Sequence, residues 1–257
     1  MKTQYVQSAD GIRLAYDLCG LGPGLLLLHG LPIGRQHWHD LGYVERLRPY
    51  FTVVTLDLRG CGESDGPLDS AAYTLEQFMA DVHLVAQRCH LERFSLWGFS
   101  FGGALALHLA ARSERVERAV IAGSHFGRAL TEEFLAPAIA QAEAIARARA
   151  EGSLDALGLS PAARALAEQL NIPAQLACLR ALPAWPPVEP TELRCPTLVC
   201  VGAEDEPIAS TLAARRAEME AAGITLQTFA GLTHQQELSA IETALPPVLA
   251  FLRSGAS

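Results

Sequence analysis

Short apolar runs, each closed by glycine or a polar residue, recur along this 257-residue chain. The runs are GLLLLHG, FTVVTLD, RFSLWG, VERAVIAGS and CPTLVCVG. They lack the alternation of apolar and polar positions that marks a strand with one wet face, so they predict strands covered on both faces. An earlier segment, YVQSADGIRLAYD, predicts two strands joined by a turn at Asp10-Gly11.

Helical patterns lie between the predicted strands. Residues 73–90 carry apolar side chains at helical spacing behind a potential N-cap, Thr74. A second pattern covers residues 101–112, where Leu105 and Leu109 lie four positions apart. Strands that alternate with helices predict an α/β protein, with a mostly parallel central sheet flanked by helices.

Residues 127–192 interrupt this alternation because they carry no strand pattern. An Ala- and Glu-rich helical pattern covers residues 130–151. Ser160-Pro161 predicts an N-cap with proline in the first turn, and Asn171 begins a further helix. We therefore predict a helical insertion over one edge of the sheet. The chain then divides into core residues 1–126, a helical segment 127–192 and core residues 193–257.

Composition limits the classes of binding partner and the cellular compartment that we expect. The net charge of −8 argues against nucleic acid and anionic membranes, which attract basic patches. The first residues lack the apolar stretch of a signal peptide, and no run approaches the length of a membrane span. The six cysteines show no CxxC spacing. We expect a cytoplasmic protein that acts on a small molecule, and its oligomeric state stays open.

The segment LWGFSFGG places a hydroxyl, Ser100, between Gly98 and Gly102. A tight turn that needs small residues is the plainer interpretation. A strand before and a helix after the serine favour a nucleophile on a sharp turn instead. The helix that follows also offers free backbone N–H groups at its first turn.

A serine hydroxyl needs a base to become a nucleophile. His234 follows an apolar stretch and precedes the last helical pattern, so it completes the order serine, acid, histidine. A solvated loop histidine is the plainer alternative. His29 closes a strand and is expected to brace the neighbouring loops. His37 and His39 form an isolated HxH, which is too little for a metal site.

An acid must orient this base, and an oxyanion must be stabilised. Glu204, Asp205 and Glu206 all end one predicted strand, and spacing alone leaves the choice open. The turn after GLLLLHG offers the backbone N–H of Leu31, which is expected to face the N–H of Phe101. An oxyanion hole from these two amides is one interpretation, and a plain connection between strand and helix is the other.

Together these segments resemble the α/β-hydrolase superfamily. The matching pieces are the His-Gly at 29–30, DLRGCGES, GFSFGG, GAEDEP and GLTH, which span nearly the whole chain. The resemblance implies Ser100 as nucleophile, Asp205 as acid and His234 as base, with residues 127–192 as the cap. It also implies that Asp57 and Arg59 are structural and that no metal, haem or other cofactor is needed.

A serine at the nucleophile position argues against the dehalogenase and epoxide hydrolase branches. The nearest likeness is to cofactor-free haloperoxidases, perhydrolases and small esterases. We expect hydrolysis of a small carboxylic ester or lactone through an acyl-enzyme. The alternatives are perhydrolase, aminopeptidase and C–C bond hydrolase chemistry, or a low-turnover ligand-binding receptor. An aminopeptidase would need carboxylates such as Glu132, Glu133 or Glu143 to face the substrate.

The pocket beside Ser100 is expected to be lined from the core side of the site. The expected lining residues are Trp38, Phe99, His125 and Phe126. Bulky rings close to Ser100 predict a preference for short acyl groups of about two to six carbons, because overpacking a site is costly.

Overall fold

The computed structural model describes residues 2–254. Met1 and residues 255–257, which the sequence prediction assigned to the core, lie outside the described residues. The described residues contain eight strands: β1 Gln4–Gln7, β2 Arg13–Cys19, β3 Gly24–Leu28, β4 Thr52–Leu56, β5 Phe94–Phe99, β6 Val116–Ala122, β7 Thr197–Gly202 and β8 Thr225–Phe229.

Helices connect most of these strands. In chain order the α-helices of residues 2–254 are α1 Gln36–Asp40, α2 Tyr43–Leu47, α3 Leu75–Arg88, α4 Phe101–Arg112, α5 Glu132–Glu151, α6 Pro161–Gln169, α7 Ile172–Ala181, α8 Ile208–Ala214, α9 Arg216–Ala221, α10 His234–Ser239 and α11 Ile241–Arg253. Thr74 caps α3 as predicted, in a capping box with Gln77.

The strands form one sheet in the order β1-β2-β4-β3-β5-β6-β7-β8. The first two strands pair antiparallel, and β2 also runs antiparallel to β4. All pairs from β4 to β8 are parallel. The predicted mostly parallel sheet is therefore confirmed. The carboxyl ends of its parallel strands meet at one edge, where α/β proteins place their sites.

Both faces of the sheet are buried, which explains the unbroken apolar runs of the sequence. Along β3, Leu26 and Leu28 pack into one hydrophobic cluster, while Leu25 and Leu27 pack into the other. All four leucines are fully buried. Neither face of this central strand therefore needs polar residues.

The segment 127–192 enters between β6 and β7 and is mainly helical. Thr131, Ser160 and Asn171 each accept a hydrogen bond from a backbone N–H in the first turn of the following helix. The caps at Ser160 and Asn171 confirm the sequence prediction. The first long helix begins at Glu132, two residues later than its apolar pattern, because Thr131 is the N-cap.

No helix within residues 2–254 is long and apolar enough to cross a membrane. All six cysteines lie in this described part and are free thiols. A cytoplasmic location stays a prediction.

Candidate active site

Ser100 stands on the sharp turn between β5 and α4. Its φ of 55° lies in the left-handed region, which non-glycine residues rarely adopt. A Cβ on Gly98 would lie 2.1 Å from the carbonyl oxygen of Gly102, and a Cβ on Gly102 would lie 2.2 Å from that of Leu28. Both glycines are therefore required because the helix crosses the strands at backbone contact.

Three side chains form a hydrogen-bonded chain at this turn. His234 Nε2 lies 2.9 Å from Ser100 Oγ, and His234 Nδ1 lies 2.8 Å from Asp205 Oδ2. Because the carboxylate only accepts, Nδ1 carries the proton and Nε2 is free to accept the serine proton. The imidazole is partly exposed, whereas Asp205 is buried. The geometry is that of a serine nucleophile with an oriented base.

The backbone fixes Asp205 in its loop after β7. The N–H of Asp205 donates to the carbonyl of Gly202 at 3.1 Å, and the carbonyl of Asp205 accepts from Ala209 at 2.8 Å. The neighbouring N–H of Glu204 donates to the carbonyl of Leu232 at 3.0 Å, which ties this loop to the segment that carries His234. Of the three consecutive acids, Asp205 alone is buried, and the other two point to solvent.

Two backbone amides lie beside the serine. Within residues 2–254, the N–H groups of Leu31 and Phe101 donate to no protein acceptor. Both residues line the same cavity as Ser100. Free N–H donors next to a nucleophile suit an oxyanion.

His29 braces the turn that holds Leu31. Its Nε2 accepts from the N–H of Leu58 at 3.1 Å, so Nδ1 carries the proton and donates to the carbonyl of Gly30 at 2.8 Å. Burial lowers the pKa of His29, which keeps the ring neutral. The ring is thus a structural brace, as the sequence predicted.

A buried arginine anchors the chain just after Leu31. The Arg35 guanidinium donates to Asp17 at 3.0 Å and to Glu63 at 2.6 Å, and it also contacts Asp57. Burial alone would lower the pKa of Arg35, but these three carboxylates raise it, so the charge persists. The loop is thereby fixed to β2 and to the end of β4.

Asp57 and Arg59 make structural contacts, as the resemblance implied. Asp57 Oδ1 accepts from the N–H of Arg35 at 2.6 Å. The Arg59 guanidinium forms two parallel bonds with the buried Asp81, at 2.7 and 2.8 Å. Neither residue touches Ser100 or His234, so both stabilise the loop rather than take part in chemistry.

A cavity of about 300 Å³ opens beside Ser100. Helices α5 and α7 of the segment 127–192 supply much of its lining, including Leu135, Ala138 and Leu179. The polar side chains in the lining are Ser100, Ser124, His125 and Gln141, and no charged residue takes part. An apolar cavity with a few polar groups is typical of a small-molecule site.

Residues 23–145 match a family model for the alpha/beta hydrolase fold. A putative non-heme chloroperoxidase from Synechocystis sp. is 35% identical over 117 residues, which are 45% of this chain and 41% of that protein. The chain has the α/β-hydrolase fold. Residues 23–145 contain Ser100, whereas Asp205 and His234 lie beyond them. The match covers about two fifths of the length of the curated relative.

Solved structures resemble this chain along nearly its whole length. An esterase from Exiguobacterium antarcticum has a TM-score of 0.80 at 21% identity, covering 98% of this chain and 100% of that one. An enol-lactonase from Burkholderia xenovorans LB400 has a TM-score of 0.77 at 24% identity, covering 97% and 99%. At these identities the likeness shows the fold alone.

Two of the four expected pocket residues lie elsewhere in the fold. Trp38 is fully buried and packs edge-on against Tyr43 and Trp97, on the opposite face of the sheet from α4. Phe126 is also buried in the core. The prediction that they line the pocket is wrong, because both rings fill space within the core. The rings have no free surface left for a ligand.

The other two expected residues lie at the site. His125 lines the cavity, and its ring Nδ1 lies 2.8 Å from the carbonyl of Phe126. Phe99 does not line the cavity but packs against the imidazole of His234, with ring centroids 4.9 Å apart. It therefore supports the imidazole of His234 and does not border the cavity.

The carboxylates that an aminopeptidase would need do not reach the cavity beside Ser100. Glu132 and Glu133 are exposed in the first turn of α5. Glu143 pairs with Arg180 at 2.9 Å on the surface. An amino group in the cavity would meet no negative charge, so the site disfavours a free amine as substrate.

Sequence reasoning missed two residues at the site. Gln141 lines the cavity, three residues beyond Ala138 on α5, and that helical spacing was visible in the sequence. Glu237 lies behind Asp205 and is 2% exposed. Its position three residues after His234 puts both on one face of α10, which was the available signal.

Proposed function

We propose that this α/β hydrolase is a serine hydrolase that cleaves a small, uncharged carboxylic ester or lactone. The observation that carries the proposal is the chain of hydrogen bonds from Asp205 through His234 to Ser100, beside an apolar cavity. The esterase and the enol-lactonase of the same fold support this substrate class. The cavity carries no charge that would hold an ionic substrate.

The first half of the reaction forms an acyl-enzyme. Ser100 Oγ attacks the carbonyl carbon while its proton passes to Nε2 of His234. Asp205 stabilises the imidazolium that results. The oxyanion accepts hydrogen bonds from the amides of Leu31 and Phe101. The imidazolium then gives its proton to the leaving alkoxide as the C–O bond breaks.

The second half releases the acid. A water molecule gives its proton to His234 and attacks the acyl carbon, and the ester bond to Ser100 then breaks with return of the proton. The acyl group occupies the apolar cavity. We further propose that residues 127–192 act as the cap of this site, between core parts 2–126 and 193–254, because α5 and α7 line the cavity.

Covalent labelling and ester turnover test the proposal together. The wild-type protein is expected to react once with a fluorophosphonate and to hydrolyse p-nitrophenyl butyrate. Ser100→Ala should lose the label and nearly all turnover, and the amide donors should leave a small residual activity. The control is Ser113→Ala, which removes a hydroxyl at the far end of α4. Labelling of Ser100→Ala at the wild-type rate would refute the nucleophile, and labelling without turnover would favour a binding protein.

Perhydrolysis is the second candidate, because a putative non-heme chloroperoxidase is 35% identical to this chain over 117 residues. Hydrogen peroxide would replace water, and its attack on the acyl-enzyme would give a peracid and free Ser100. The test compares peracid with acid formed from one ester at rising peroxide concentration. Perhydrolysis is favoured if the fraction of peracid among the products exceeds the fraction expected from the relative concentrations of peroxide and water.

A further inference from the structure

Glu237 is a buried carboxyl group that the proposed reaction does not use. Its Oε1 accepts from the N–H of Gly202 at 2.6 Å. Its Oε2 is buried and meets no donor within residues 2–254. One carboxyl oxygen of Asp205, one of Glu237 and a ring nitrogen of His234 lie within 4.8 Å of one another. Glu237 therefore stands directly behind the acid of the site.

The groups that face Glu237 offer it no positive charge of their own. They are Asp205 in the loop after β7, His234 on the same helix and the Cys200 thiol on β7. In the described part of the chain, no lysine or arginine forms an ion pair with Glu237 or Asp205. Two carboxylates this close, both away from water, cannot both stay ionised.

A proton on one of the two carboxylates removes this repulsion. The proposed reaction needs Nε2 of His234 free to accept the serine proton, so Nδ1 carries the ring proton and Asp205 Oδ2, 2.8 Å away, must stay an acceptor. Burial, together with the neighbouring Asp205, raises the pKa of Glu237 to about 9. Glu237 is therefore a neutral acid at pH 7, and its unpartnered Oε2 carries the proton. Both ring nitrogens of His234 already have partners, so neither is free for a cation in this arrangement.

We propose that Glu237 is a positioning residue, a neutral carboxylic acid that donates a hydrogen bond to Asp205 and holds it against His234. The inference rests on the proposed function, because Asp205 matters only if His234 is the base. Ionisation of Glu237 replaces this hydrogen bond by repulsion between two carboxylates. Asp205 is then displaced from Nδ1, and the reactivity of Ser100 falls at alkaline pH.

The pH dependence of fluorophosphonate labelling tests the role of this proton. The second-order rate of the wild type should fall above about pH 9. Glu237→Gln keeps an N–H donor toward Asp205 and an acceptor for Gly202 but cannot ionise. Its rate should stay within about tenfold of the wild type at pH 7 and show no alkaline fall. Glu237→Ala removes both hydrogen bonds and should lose more than about tenfold at every pH.

Glu204→Gln is the matched control, because it makes the same change of charge on an exposed side chain one residue from Asp205. Its profile should follow the wild type. Circular dichroism checks that each variant is folded. If Glu237→Ala is not folded, the comparison of Glu237→Gln with the wild type tests the inference.

Three outcomes would overturn the inference. The first is an alkaline fall in Glu237→Gln that matches the wild type. The second is a folded Glu237→Ala that labels like the wild type. The third is wild-type labelling that is lost in EDTA and restored by Zn²⁺, since a cation would then bridge the carboxylates. A wild type that takes up no label would refute the proposed function itself.

Discussion

The ring of Phe99 lies against the imidazole of His234, with centroids 4.9 Å apart and planes tilted by 31°. Phe99 is the last residue of β5, directly before Ser100. Its ring also borders the backbone at Gly30 and Gly123, where an added Cβ would lie 3.3 and 3.1 Å away. One side chain therefore lies between the imidazole of His234 and the backbone around the Ser100 turn.

Phe99→Leu should lower kcat for ester hydrolysis more than it changes KM. The smaller side chain leaves the imidazole free to tilt, and a misplaced base costs about 10- to 100-fold in rate. Steady-state kinetics with p-nitrophenyl butyrate measure both constants. Phe94→Leu is the control, since Phe94 is buried at the other end of the same strand. It should lose stability but keep kcat, and an equal loss of kcat in both variants would contradict the role of Phe99.

Asp205→Asn should reduce kcat by about 10⁴-fold, because an amide cannot stabilise the imidazolium and can favour the wrong tautomer of His234. Glu204→Gln and Glu206→Gln should change kcat little, since both side chains point to solvent. The comparison needs only kcat at saturating ester for the three variants. A large loss in Glu204→Gln would assign the acid to the neighbouring residue.

The sequence predicted those parts of the fold that depend on local patterns. Unbroken apolar runs identified the central strands because both faces of the sheet are covered. Thr74, Ser160 and Asn171 marked helix starts because a cap is a contact within one turn. The glycines around Ser100 were informative because the geometry of a turn between strand and helix limits the residues it accepts.

The pocket could not be predicted in the same way, because its walls come from distant parts of the chain. Trp38 and Phe126 are large and aromatic in the sequence, but only the packing decides whether such a ring faces a cavity or the core. Glu237 was missed for a related reason. Its spacing from His234 puts both residues on one face of α10, but its proximity to Asp205 depends on how α10 packs against β7, which that spacing does not record.

The stability of the protein should show the titration of Glu237. The pKa of this carboxyl is about 4.5 in the unfolded chain and about 9 in the folded one, chiefly because of burial. The folded state thus holds a proton that the unfolded state loses. The contribution of this proton to the free energy of unfolding is fully present below about pH 4.5 and is lost as the pH rises to about 9.

Glu237→Gln cannot ionise at this position. Its free energy of unfolding should therefore increase relative to that of the wild type as the pH rises. One proton corresponds to about 1.4 kcal/mol per pH unit, or about 2 to 3 kcal/mol between pH 6 and 8. Urea unfolding of both proteins at the two pH values measures the difference. Parallel changes in the two proteins would mean that Glu237 is ionised in the folded state.

The cavity volume limits the acyl group. Water occupies about 30 Å³ in the liquid, so a cavity of about 300 Å³ holds about ten non-hydrogen atoms. Each methylene that fits contributes up to about 0.8 kcal/mol, whereas one that does not fit forces the lining apart. We therefore expect kcat/KM to peak at acyl groups of about two to six carbons. The series of p-nitrophenyl acetate, butyrate, octanoate and palmitate measures this order.

Ala138→Phe tests whether this cavity is the acyl site. Ala138 lines the cavity from α5, and a phenyl ring there would fill much of the free volume. The preference should shift from butyrate to acetate by about tenfold, as overpacking of about 1.4 kcal/mol would give. Ala140→Phe places the same ring on an exposed position of the same helix and should leave the order unchanged.

A peak at octanoate or beyond in the wild type would mean that the acyl chain leaves the cavity and runs along its open side. In that case Ala138→Phe should not change the preference.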